Sequence, residues 1–386
     1  MLRLSSLISR FIAGLATGAV ALTVSFAIQS RVATPVKAYG AGSISIGHLT
    51  GVTAIAEGVF HSLALRSDGT VWAWGYNGAG QLGDNTTTDR HVAVEVVGAR
   101  GSGHLTGITA IAAQELDSLA LRSDGTVWAW GYNGDGELGD NTTTDRHVPV
   151  EVVGARGSGH LTGIIAIAAG YERSVALKSD GTVWAWGYNG AGQLGDNTTT
   201  DRHVPVEVVG AGGSGHLTGI TAIAAGAEHS LALRSDGTVR AWGYNGDGEL
   251  GDNTTTERHV PVEVVGARGS GHLTGIIAIA AKFEHSVALK SNGTVWAWGD
   301  NGDGQLGDNT TTDRHVPVEV VGAGGSGHLT GIIAVAAGYA HSVALKSNGT
   351  VWAWGYNGYG QLGDNTTTER HVPVEVVRLV QAASTP

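Results

Sequence analysis

The 386-residue chain has no cysteine, one methionine, four phenylalanines and seven prolines. Without cysteine there is no disulfide framework, thiolate zinc site or cysteine nucleophile. Charged residues are 15% of the chain, and the 23 Lys and Arg are outnumbered by 34 Asp and Glu, for a formal net charge of −11. Nucleic-acid binding needs clustered Lys and Arg against phosphates, so this balance argues against it. Glycine is in excess: 62 residues, beside 42% apolar content, with no every-third-residue spacing. That mixture is neither collagen nor a disordered polar chain. A single hydrophobic core stops growing near ~250–300 residues, so a chain of this length is built of two domains or of many small stacked units.

The first 38 residues read as a separate segment. Arg3 and Arg10 precede an uncharged stretch from Phe11 to Ser30, and Val36-Lys37-Ala38 places small residues at a cleavage site after Ala38. This is the pattern of a secretory signal peptide. The other reading is an uncleaved anchor, since the apolar run approaches the ~20 residues that span a bilayer. Residues 1–38 hold four basic groups and no acid, so their removal takes the formal charge from −11 to −15. Secretion without cysteine points to a bacterial exterior, with no stable membrane association after cleavage. The expected organisation is 1–38 signal peptide, 39–47 N-terminal segment, 48–380 repeats and 381–386 tail.

An internal repeat decides the fold. His-Leu-Thr-Gly begins at His48, His104, His160, His216, His272 and His328, every interval being 56 residues. A fixed period of this length is read before any secondary structure. Within the first unit, Val52–Ala56, Ser62–Leu65, Val71–Trp74 and Val92–Val97 read as four short strands. Asp68-Gly69 between the second and third has the composition of a tight two-residue hairpin turn. Pro149, Pro205, Pro261, Pro317 and Pro373 fall in the fourth strand of units two to six, and a residue that cannot donate to a ladder marks an edge strand. The first three runs are apolar on both alternating faces, so both sides of each sheet must be covered. Six four-stranded antiparallel units stacked as blades satisfy this, which makes the fold all-β and a β-propeller, six-bladed with seven not excluded. Equal repeats imply a closed ring with the chain ends near one another. A linear β-solenoid is the alternative.

The run HSLALRSDGTVWAWGYNGAGQLGDNTTTDRHV, His61 to Val92, resembles the repeat of the regulator of chromosome condensation family. The pattern recurs six times and covers nearly the whole chain after residue 38. The resemblance implies a propeller of four-stranded blades. The nucleotide-exchange activity of that family needs an inserted wedge, and every repeat here keeps its length, so that activity is not carried over. The secreted, propeller-type β-lactamase inhibitory proteins of bacteria are a nearer comparison, and the resemblance implies that loops on one face supply aromatic contacts to a protein target.

The polar residues read mainly as scaffold. Of 16 His, twelve fall in two rings, starting at His48 and His91. Equivalent residues on neighbouring blades lie ~10 Å or more apart, too far to converge on one metal ion. Each is expected to close a turn or pair with an acid, while His61, His229, His285 and His341 are expected to meet backbone carbonyls. If every His titrated near ~6.5, the protein would approach zero net charge near pH 5. The loop Asn133 to Asn141 alternates oxygen ligands but lacks the spacing of an EF-hand, and its glycines serve a compact turn. Asp84-Asn85 and its copies suit capping of turn N–H groups. No cofactor or metal is called for. Catalysis needs an asymmetric constellation, whereas nearly every polar residue here occurs six times, and Asp117, Arg173, Arg240 and Lys282, which do not repeat, form no catalytic spacing. The chain reads as non-enzymatic.

One window varies in every unit, between the first and second strands: residues 57–61, 113–117, 169–173, 225–229, 281–285 and 337–341. A second variable spot runs through Ala79, Asp135, Ala191, Asp247, Asp303 and Tyr359. By ring symmetry the windows share a face, and loops on a rigid scaffold carry function. Phe60, Glu115, Leu116, Tyr171, Glu172, Arg173, Glu228, Phe283, Glu284, Tyr339 and Tyr359 are therefore the candidate partner-binding residues, with the aromatics expected to be exposed. The partner is expected to be a protein, with an extracellular or cell-wall polysaccharide, or a purely structural surface role, as the alternatives.

Overall fold

The structure is a computed structural model that describes residues 47–378; the signal-peptide reading and the tail lie outside them. Blade 1 consists of β1 (Val52–Glu57), β2 (His61–Arg66), β3 (Val71–Gly75) and β4 (Arg90–Glu95). The pattern recurs as blades 2 to 6 over 108–151, 164–207, 220–263, 276–319 and 332–375. Each blade is one four-stranded antiparallel sheet with its strands in chain order. The fourth strand is thus always an edge, as the proline of blades 2 to 6 requires. It starts two residues earlier than the sequence implies, at Arg90.

The Asp-Gly hairpins differ from the two-residue turn expected. Gly69 N donates to Arg66 O, and Arg66 N donates to Thr70 O. Only Gly69 has a positive φ, 78°. Asp68 instead receives Thr70 N at 3.1 Å and the Thr70 hydroxyl at 2.7 Å. This is the longer hairpin, closed by a glycine bulge, and it asks of Asp68 a side-chain acceptor rather than a left-handed backbone.

Blades are held together by burial and by a repeated set of bonds. Leu63, Leu65, Val71 and Ala73 of blade 1 pack against Ile108, Ile111, Ala120 and Trp130 of blade 2. Trp130 Nε1 and Ser118 Oγ both donate to Gln81 O at 2.9 Å, and Asn85 N donates to His147 O at 2.9 Å. The tryptophan bond recurs at Trp186, Trp242, Trp298 and Trp354. A glycine makes the approach possible: a Cβ on Gly195 would lie 2.7 Å from Trp242 Nε1, and its φ is +68°. His61, His229 and His285 take part as well. Their Nε2 atoms meet the hydroxyls of Ser118, Ser286 and Ser342 on the next blade, where the sequence reading expected carbonyls.

The loop between the third and fourth strands is locked by its repeated polar residues. Asn77 Nδ2 donates to Asp84 and to the Thr86 and Thr88 carbonyls, and its Oδ1 accepts from Leu82 N. Arg90 pairs with Asp84 at 2.5 Å. Asn85 sits at φ 63°, a conformation asparagine tolerates. In the same position of blade 2 the loop with alternating oxygen ligands is largely engaged, Asp140 by Arg146 and Asn133 and Glu137 Oε2 by Asp135 N, with Glu137 Oε1 left open. His104, His160, His216, His272 and His328 each pair with a glutamate of the preceding blade's last strand.

The ring expectation is corrected at one junction. Five hydrophobic clusters join blades 1–2, 2–3, 3–4, 4–5 and 5–6, and among the described residues none joins 6 to 1. Ile55 of β1 is 48% exposed, whereas its counterparts Ile167 and Ile279 are at 0%. Val343, Leu345 and Val351 on blade 6 are half-exposed where their equivalents are buried. Trp74 is half-buried, with no bond to Gln361 to match those of the other five. The described ring carries six blades and five interfaces, and the sixth is an open seam.

Candidate functional site

Antiparallel order fixes the two faces. The turn between first and second strands and the loop between third and fourth emerge on one side; the hairpins and inter-blade connections emerge on the other. Both variable positions therefore share a face, and Tyr76 N donating to Phe60 O at 2.9 Å ties them together.

The variable turns interlock around the axis. Tyr171 N donates to Ala227 O at 3.1 Å, and Ala227 N donates to Phe283 O at 2.8 Å, linking blades 3, 4 and 5. Phe283 stacks on Tyr339 of blade 6 with ring centroids 3.8 Å apart. Lys282 of blade 5 bonds Gln114 of blade 2 across the ring. Burial lowers the Lys282 ammonium to about 8, against the pull of Glu57 and Asp117. Glu115, Glu172 and Phe283 have positive φ of 26°, 53° and 46°. Non-glycine residues in that region cluster at sites where a chain holds strain for a purpose.

Carboxylates dominate this face. Burial raises Glu115, with a hydrogen bond from Tyr171 opposing, and raises Glu228, with Arg173 opposing. Glu172 is pushed up to about 7 by burial and then by Glu115, Asp135, Glu228 and Asp201. Beneath them Glu137 is 0% exposed and is raised to about 8, chiefly by burial. Asp117 lies well above the usual carboxylate range through burial and then the charges of Glu137 and Glu115.

The candidate residues divide three ways. Phe60 and Tyr359 are exposed, at 37% and 52%. Leu116, Tyr171, Glu172, Phe283, Glu284 and Tyr339, with Glu115 and Glu228, are half-buried in the interlocked turns; the aromatics among them are engaged as much with each other as with solvent. Arg173 is the correction. It is 0% exposed and bonds the carbonyls of Ala227, Gly226 and His229. It is a bolt between blades 3 and 4, and burial lowers its guanidinium to about 9. Arg173→Ala leaves three carbonyls to find other donors and is expected to cost about 2–3 kcal/mol in chemical denaturation. Arg173→His, the residue that blades 1, 4, 5 and 6 carry there, is expected to recover most of it through Ser230.

Sequence reading missed Glu137 and Glu249, and dismissed Asp117 for want of a catalytic spacing. The signal lay in the repeats: Gln81, Gln193, Gln305 and Gln361 occupy the position that Glu137 and Glu249 fill. The tyrosine ring Tyr76, Tyr132, Tyr188, Tyr244 and Tyr356 was also passed over, because it barely varies. It borders the same face, and the Tyr132 phenol is raised to about 12 by burial and by Glu137 and Asp135.

Radially stacked four-stranded blades of this kind define a β-propeller with a rigid body and one variable face. The chain matches the RCC1-like domain over residues 153–385, and the regulator of chromosome condensation (RCC1) repeat over 52–81, 68–113 and 124–177. It is 30% identical over 326 residues to the ultraviolet-B receptor UVR8 of Arabidopsis thaliana, covering 84% of this chain and 70% of that one. It is also 30% identical to the E3 ubiquitin-protein ligase HERC2 of Homo sapiens, but spans only 6% of HERC2. The structure of yeast RCC1 (Prp20) bound to Kap60 has the same fold, with TM-score 0.68 at 24% identity over 85% of this chain and 75% of that one. The chain belongs to the regulator of chromosome condensation repeat family.

Proposed function

We propose that this protein is a secreted, non-enzymatic binding module of the bacterial exterior that holds a protein partner through its variable face. The observation that carries this reading is the convergence of the variable turns of blades 2 to 6 into one interlocked surface, while the repeated Asn77, Asp84, Ser118 and Trp130 positions are spent on the scaffold. Relatives support the coarser statement: UVR8 is a receptor, and yeast RCC1 was crystallised with Kap60. The resemblance to the β-lactamase inhibitory propellers and the leader-like residues 1–38 support an extracellular setting. An extracellular polysaccharide is the second reading, favoured by the exposed rings of Tyr76 (45%) and Tyr359 (52%). The test is capture from culture supernatant by the immobilised chain, compared with a Phe60→Ala/Phe283→Ala variant. Loss of an anchoring aromatic typically costs about 2 kcal/mol or more, roughly thirtyfold in affinity. Capture is expected to vanish while the melting temperature moves by only a few degrees. Retention of the same partner by the variant would refute the assignment of the face, and binding to a glycan array alone would favour the second reading.

A further inference from the structure

The binding face has a sign. In the turns between first and second strands and the loops between third and fourth, the cations among the described residues are Arg173 and Lys282. The first is bolted to backbone carbonyls and also faces Glu228, and the second is bonded to Gln114 and drawn to Glu57 and Asp117, so neither is free to meet an incoming acid. The arginines that open the fourth strands, such as Arg90 and Arg146, are held by Asp84 and Asp140. Arg173 counters part of the Glu228 charge and Tyr171 donates to Glu115, but Glu172 stands among the like charges of Glu115, Asp135, Glu228 and Asp201, so the cluster over blades 2 to 4 keeps a net repulsion. Tyr132 and Tyr188 stand in the field of the same groups.

A second observation points from this cluster to a ligand. Asp117 is 2% exposed and Glu137 0%, and Asp117 Oδ2 and Glu137 Oε1 have no hydrogen-bond partner. Asp117 feels Glu137, Glu115 and Glu172, which places it under the same cluster. Buried carboxyl oxygens are ordinarily satisfied, and these two are orphaned directly beneath the cluster, where a donor brought in from the face would pair them.

We propose that the centre of the variable face over blades 2 to 4 receives a Lys- and Arg-bearing protein segment, with Glu115, Glu172 and Glu228 as its counter-charges. A cationic side chain set among them removes their mutual repulsion, and the flanking tyrosine rings offer it an electron-rich face. This inference rests on reading the face as a binding surface and specifies the chemistry it selects.

The experiment uses the full chain and a labelled decalysine peptide, with decaglutamate as the opposite probe, read by fluorescence anisotropy at about 0.15 M salt, where charges further apart than ~8 Å are largely screened. Two triple variants carry the same change in net charge. One is Glu115→Gln/Glu172→Gln/Glu228→Gln on the variable face. The other is Asp68→Asn/Asp124→Asn/Asp180→Asn on the hairpins of the opposite face. The hairpin changes are tolerable by the chain's own precedent, since Asn292 and Asn348 accept the same bonds from Thr294 and Thr350. Decalysine is expected to bind the parent chain, to lose about tenfold or more on the face variant, and to stay within about twofold on the hairpin variant. Equal losses in both variants, no decalysine binding at this salt, or equal binding of decaglutamate would each overturn the proposal. If decalysine fails while Phe60→Ala/Phe283→Ala still abolishes partner capture, the binding face stands and only its charge preference falls.

Discussion

Replacing Glu137 and Glu249 together by glutamine is expected to stabilise the protein at pH 8.5 and to leave it nearly unchanged at pH 4.5. Both side chains are 0% exposed, and burial raises both to about 8. An unfolded glutamate titrates near ~4.3. Between those values the folded chain holds a proton that the unfolded chain has lost, so stability falls as pH rises, by up to about 1.4 kcal/mol per site per pH unit, until the folded carboxyl itself ionises. Glutamine has no such slope. It also fits: Gln81 Oε1 accepts Ala79 N at 3.0 Å just as Glu137 Oε2 accepts Asp135 N at 3.0 Å. The gain is damped because the amide nitrogens of Gln81 and Gln193 are themselves buried without partners. About 2–4 kcal/mol for the double variant at pH 8.5 is the expected result, read from denaturant melts at the two pH values. A gain independent of pH would show that these carboxyls are not held neutral in the fold.

The buried histidines act in the opposite sense. Burial lowers His61 and His341 to about 4, and His229 and His285 to about 3. Below the unfolded value near ~6.5 the unfolded chain binds protons that the fold refuses, so their contribution is lost as pH falls from about 6.5 towards 4. The approach to zero net charge near pH 5, expected when all 16 His titrate, is corrected accordingly, because these four stay neutral there. Stability is expected to be greatest where the two trends cross, near neutral pH.

Much of the fold was legible because the repeat presents the same experiment six times. Proline at one position of five fourth strands marked the edge, and the apolar residues on both faces of the first three strands demanded stacking. The turn chemistry was less legible. Asp68-Gly69 has the composition of one hairpin and the geometry of another, since a side-chain acceptor and a left-handed backbone both favour aspartate. At the site, variation between units found the right face but could not separate surface from bolt. Arg173 varies because blade 3 solves its junction with three carbonyl bonds where blades 1, 4 and 5 use a histidine bonded to a serine, and that is an internal difference. Glu137 and Glu249 were hidden by the opposite error: a change from glutamine to glutamate at a repeated position is small in sequence and large in electrostatics once the site is dry. The open seam was illegible for a plainer reason. A repeat pattern states that neighbours pack, and is silent on whether the last unit meets the first.

The seam makes two chemically identical substitutions unequal. Trp242 is 0% exposed, donates to Gln193 O at 2.9 Å and sits in the cluster that joins blades 3 and 4. Trp242→Ala removes a large buried ring, leaves the Gln193 carbonyl with Ser230 Oγ alone of its two side-chain donors and opens a cavity, at an expected cost of about 3–5 kcal/mol. Trp74 holds the same place in the repeat but faces the seam and is half-buried. Trp74→Ala loses less burial and no inter-blade bond, and is expected to cost less than about 2 kcal/mol. Ile55, 48% exposed, should follow the same rule against Ile223 at 2%. Denaturant melts of Trp242→Ala and Trp74→Ala side by side measure the difference directly, and acrylamide quenching of a Trp74-only fluorescence difference spectrum reports its exposure independently. Equal costs together with a shielded Trp74 would mean that blade 6 closes on blade 1 in solution with the same interface the other five use; unequal costs with an accessible Trp74 would place the seam in the native state, as an edge where two hydrophobic faces made for a blade stand without one.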